Sequence, residues 1–145
     1  MRIDTLGKII PISVPGTIFG AAITGAFVEL TNYQQVTFIV ASSEGDAGET
    51  TITVEGKLGA NGTAAAIPFM YMASGDAEFV EKEATGATFS IGGASGKSKY
   101  AVITVTDTML AKAGYDRVCI KTTKVANSTV PGAIYAIASK PRYTE

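Results

Sequence analysis

An all-β sandwich is the fold class this sequence predicts, and three observations carry it. Ile, Val and Thr fill 43 of the 145 positions while Leu fills 4, and β-branched side chains, stiff at χ1, suit a pleated, half-buried surface better than a helix. The 16 Gly and 5 Pro fall mostly between the Ile/Val/Thr runs, as turns between short strands require. The runs themselves alternate with period two, and about eight of them are present, the pattern of a jelly-roll-like β-sandwich whose two sheets bury a common core.

The first 20 residues read as an extended N-terminal arm or edge segment, and residues 21–145 as the single sandwich domain. In Ile9-Ile10-Pro11-Ile12-Ser13-Val14-Pro15 each proline lacks a ladder donor and holds its predecessor extended. Such an arm can add backbone hydrogen bonds to a partner's sheet edge and lay Ile9, Ile10, Ile12 and Val14 across apolar pockets. These four are the candidate protein-contact residues. Gln35–Ala41 is apolar on both faces and is the best central-strand candidate. Ser42–Glu49 reads as an exposed acidic turn, and Thr50–Leu58 as a half-buried strand with Ile52, Val54 and Leu58 facing in.

Further along, Ala65–Ala73 is a strand with Pro68 marking an edge or a bulge, Ala77–Ala84 is mostly solvated, and Thr88–Ile91 is short and ends at Gly92-Gly93. Tyr100–Thr106 is another strand. Asp107 then resembles an N-cap for one short helical turn closed by Gly114. Tyr115–Thr123 and Ala133–Ser139 are the last two strands.

Composition excludes several functions. Lys and Arg number 12 against 13 Asp and Glu, a net charge of -1, which leaves no basic footprint for nucleic acid. With 46% hydrophobic and 17% charged residues the chain is too apolar for disorder. It holds no His, no Trp and one Cys, so a His general base, an HExxH zinc site and an intrachain disulfide have no residues to build them. Met1–Asp4 has no secretory character, and Ala21–Leu30, broken by Thr24, Gly25 and Glu29, falls far short of the roughly 20 residues that span a bilayer. A soluble protein with no membrane contact and no cofactor is expected. Cys119, in the alternating run Arg117–Lys121, reads as a small buried hydrophobe rather than a reactive thiol.

The motifs that suggest chemistry are weak. Gly92-Gly93-Ala94-Ser95-Gly96-Lys97-Ser98 resembles a phosphate-binding loop, but Ile91 stands where the first Gly is needed and a β-patterned run follows where a helix is needed. A Gly/Ser hairpin loop is the better reading. Glu44, Asp46 and Glu49 match no calcium-loop spacing. Glu78, Glu81 and Glu83 could supply a glycosidase pair, yet they sit around Lys82 in a segment whose charges are suited to blocking edge pairing. Asn61-Gly62-Thr63 and Asn127-Ser128-Thr129 are turn residues, and Phe69–Met72 reads as core.

The C-terminal third adds a resemblance. Ala113–Thr123, with Tyr115-Asp116-Arg117-Val118, followed by Gly132–Tyr143 with its Pro141-Arg142 ending, resembles the close of small virion proteins of tailed bacteriophages, and the opening Thr5-Leu6-Gly7-Lys8-Ile9 is similar too. The resemblance implies a non-enzymatic capsid decoration or cement subunit, made in the host cytoplasm and placed on the capsid surface of the virion. Its partners would be the major capsid protein and further copies of itself as a homo-oligomer. The alternative is a tail- or head-associated carbohydrate-binding sandwich, which an aromatic cluster of Tyr33, Tyr71 and Tyr100 on one exposed face would favour.

Overall fold

The computed structural model describes residues 7–94 and 96–142. Residues 1–6 of the expected arm, Ser95 of the glycine-rich loop and Tyr143 of the C-terminal resemblance lie outside them. The chain folds as two six-stranded antiparallel sheets packed face to face, an all-β sandwich. Eight strands have five or more residues: β1 (Gly7–Pro11), β4 (Tyr33–Ser42), β5 (Gly45–Lys57), β7 (Phe69–Ala73), β9 (Ala87–Gly93), β10 (Lys99–Thr106), β11 (Arg117–Thr122) and β12 (Gly132–Pro141). Four short ones complete the sheets: β2 (Ile23–Thr24), β3 (Val28–Glu29), β6 (Ala65–Ala66) and β8 (Val80–Lys82).

The larger sheet has the order β1-β12-β4-β10-β7-β8, so β4 is a central strand, as its two apolar faces predict. Val36, Phe38 and Val40 are fully buried. They meet Ile134 and Ala136 on β12 and Ala101, Ile103 and Val105 on β10, all on the inward side. In the smaller sheet β5 pairs β11 on one side and β9 and β6 on the other, while β2 and β3 pair the far edge of β11.

Several boundaries differ from the sequence expectation. The acidic segment is a turn only at Ser43 and Glu44, because β5 begins at Gly45 and runs 13 residues, with a bulge between Gly45 and Gly48 where it pairs β9. Leu58 faces solvent, being 62% exposed. The strand ends at Lys57, and the buried position before it is Gly56, not an aliphatic residue. Pro68 separates β6 in the smaller sheet from β7 in the larger one, so the run 65–73 is a crossing between sheets rather than one strand. β9 in the smaller sheet and β10 in the larger one likewise do not pair as a hairpin. Gly92 has φ +70°, and its N–H donates to Ser42 Oγ at 3.0 Å. A β-carbon there would lie 2.2 Å from the Asp46 carbonyl oxygen, so only glycine fits this turn.

The short helix α1 spans Asp107–Lys112. Its N-cap is Thr106, not Asp107: Met109 N–H donates to Thr106 Oγ1 at 3.2 Å, while Asp107 occupies the first turn, where a carboxylate suits the helix dipole. Leu110 drops from this helix into the core. At the other end of the sandwich Phe19, fully buried in a 3-10 turn at Ile18–Gly20, plugs the space beside Gly132.

Among the described residues of the N-terminal segment, Gly7–Pro11 form an edge strand of the larger sheet. β1 pairs β12 antiparallel from Gly7↔Ser139 to Pro11↔Tyr135, and both Ile12 and Ser13 N–H groups donate to the Ile134 carbonyl. Residues 7–13 therefore continue the larger sheet of their own domain and do not extend away from it. The reason is physical: β12 would otherwise be an apolar edge with unpaired backbone groups, and β1 satisfies them.

Candidate functional site

The residues singled out from sequence are split: alternation separates Ile9 from Ile10 on β1, and Val14 lies past the end of the strand. Ile10 and Ile12 turn inward and pack against the core. Ile9 is 48% exposed and Val14 84% exposed, and these two remain available to a partner.

The other candidates do not assemble into a site. Glu81 lies on β8 at the rim of the larger sheet, and both it and Glu83 are exposed. Glu44, between β4 and β5, accepts a hydrogen bond from the N–H of Gly96, between β9 and β10. Among the described residues no group of three or more His, Cys, Asp or Glu side chains is placed to hold a metal ion. The three tyrosines face different ways. Tyr71 is buried and its hydroxyl donates to the Thr88 carbonyl at 3.3 Å, Tyr33 packs partly against the core, and Tyr100 is 45% exposed on the outside of the larger sheet. A single aromatic platform is not formed. Cys119 is buried, with its thiol pushed up to about 11 by burial and then by the Glu55 carboxylate across the ladder.

The surface most unlike an ordinary solvent face is the outer side of the larger sheet. Successive residues of a strand point to opposite faces, so each inward core residue on β4, β10 and β12 has an outward neighbour. The registers align these neighbours into rows. One row runs Ile9, Ile137, Thr37, Thr104, Met70; the next runs Pro11, Tyr135, Ile39, Val102, Met72. The row beyond is Ala133, Ala41, Tyr100. No outward position on these five strands carries a charge, and the first charged side chain is Glu81, opposite Met70 on the rim strand β8.

The outer side of the smaller sheet is the opposite. There β5 presents Thr51, Thr53, Glu55 and Lys57, and β11 presents Arg117 and Lys121. Lys121 pairs with Glu55 at 3.1 Å and Arg117 with Glu29 at 3.7 Å. One sheet is dressed for water and the other is not. The double apolar parity of Gln35–Ala41 carried the signal for this in the sequence, but it reads equally as a strand covered on both sides by its own chain.

The described residues thus form a two-sheet antiparallel β-sandwich with a charge-free outer face on one sheet. No family model matches the sequence, and no curated protein matches it. Among solved structures it is similar to the crystal structure of SPBc2 prophage-derived protein YomS, with a TM-score of 0.51 at 11% identity over 92% of this chain and 93% of that one. The likeness is one of fold.

Proposed function

We propose that this protein is a non-enzymatic bacteriophage structural protein, a capsid decoration or cement subunit with a jelly-roll-like sandwich that binds the shell of the major capsid protein on the virion surface. The observation that carries this reading is the fold shared with a prophage-derived protein along nearly the whole of both chains. The Tyr-x-Arg-Val run, which leads into β11 at Arg117, and the Pro-Arg ending, whose Pro141 is the last residue of β12, support it.

Contact with the shell falls to the exposed side chains of Ile9 and the projecting Val14. A symmetric shell repeats each contact many times, so modest affinity at each site holds the subunit through multivalency. The test is to incubate the purified protein with coat-protein shells that lack it and to sediment the shells. Stoichiometric co-sedimentation, reduced in Val14→Asp and accompanied by the protein in mass spectra of purified virions, is expected. Absence from virions together with no shell binding would overturn the reading.

A further inference from the structure

We propose that the outer face of the larger sheet is the contact between two copies of this chain, packed sheet against sheet across a two-fold axis. This goes beyond the shell-binding reading and stands whether or not that reading holds.

The face has the wrong chemistry for water and the right chemistry for itself. Ile39, Val102 and Tyr135 are neighbours at its centre, on β4, β10 and β12, and the rows around them carry no charge. A nucleic acid, a lipid headgroup or a charged peptide would find nothing here to pair with. A second copy brings the same neutral surface, so no ion is desolvated without a partner, and interface cores are depleted of charge in the same way. The hydroxyls of Thr37 and Thr104 lie 3.5 Å apart, where one can donate to the other, so covering them leaves one hydroxyl hydrogen to be satisfied and not two. Met70 and Met72 at the margin supply adaptable side chains that accommodate an imperfect fit.

The dimensions are those of a modest interface: five strands about 4.8 Å apart, each offering two to four outward residues, project roughly 500 Å² before side-chain relief, against about 800 Å² per partner in a standard stable interface, which fits a dimer that dissociates on dilution. The edges of the same sheet are poor alternatives. β1 ends in Pro11, which has no donor, and β8 carries Glu81 and Lys82, both devices that discourage edge-to-edge pairing. Face-to-face stacking is the contact left, and because the same patch meets itself the assembly closes at two.

Sedimentation of the full chain tests this. The wild type is expected to show twice the chain mass at about 100 μM and to dissociate on dilution, while Val102→Lys raises the dimer dissociation constant by about 100-fold or more with an unchanged far-ultraviolet circular dichroism spectrum. If Val102→Lys fails to fold, Tyr135→Lys on the neighbouring strand takes its place. A wild type that stays monomeric at that concentration overturns the proposal, as does a dimer indifferent to both lysines. A monomer whose binding to coat-protein shells is lost in Val102→Lys would assign the face to the coat protein and would equally overturn it.

Discussion

The ring of Tyr115 fills the space above the α-carbon of Gly56: a β-carbon at that position would lie 2.7 Å from Tyr115 Cδ2 and 3.1 Å from Leu110 Cδ1. Gly56 is buried near the end of β5, between the strand and the helix that closes the sandwich. Even one methyl group must displace the ring. Gly56→Ala is expected to lower stability by about 1–3 kcal/mol, the usual cost of overpacking a filled core. Urea unfolding midpoints compared at equal slope check it, and an unchanged midpoint would show that the ring moves freely.

Thr122 offers a change in the other direction. It is 3% exposed, and its hydroxyl has no hydrogen-bond partner among the described residues. Valine has the same shape without the orphaned polar group, whose burial costs about 1–3 kcal/mol. Thr122→Val is therefore expected to leave the protein as stable or to raise its melting temperature. A loss of several degrees would mean the hydroxyl has a partner in solution.

Cys119 sets a pH dependence. Burial raises its thiol from 9.0 to about 11, so the fold favours the neutral form. A group whose folded value is raised contributes stability that is whole below the unfolded value and is lost as pH rises through the folded one. Stability should thus fall between about pH 9 and pH 11, by about 2–3 kcal/mol from this group. Tyrosines and lysines titrate there too, so the measured quantity is the difference between wild type and Cys119→Ala, which should narrow as pH rises across that window. A difference that stays constant would show that the thiol does not titrate within the fold.

Removing residues 1–11 distinguishes an edge strand from a free arm. The deletion takes away the β1 ladder and the half-buried Ile10 and leaves β12 as an apolar edge. The melting temperature should fall by several degrees, in keeping with about 1–3 kcal/mol of lost aliphatic burial, and the truncated chain should aggregate more readily. A truncated protein that melts with the wild type would restore the free arm.

The alternation on β5 records its one-sided burial directly, while β10 and β12 were legible as apolar, β-branched runs between turn residues. What the sequence left open followed from two kinds of silence. Strands of two or three residues such as β2, β3 and β6 are too short to show a period, and which sheet a strand joins depends on pairings far along the chain, so the crossings at Pro68 and from β9 to β10 read as a bulge and a hairpin. The cap at Thr106 was displaced by one residue since Thr and Asp both cap well. The candidate surface was present in the pattern of Gln35–Ala41, but alternation alone does not say whether the second apolar face is met by the same chain or by another.

The pairing of β1 with β12 joins the earliest described strand to the last. While the protein is being made, Gly7–Pro11 emerges from the ribosome long before the strand that completes it, a wait of about 6–25 s at 5–20 residues per second. β4 waits as well, since β12 lies between it and β1. The larger sheet therefore closes only after residue 141 has been synthesised, and until then the edge of β4 that β12 pairs stands open, so a chaperone that shields nascent apolar strands would raise the yield of folded protein.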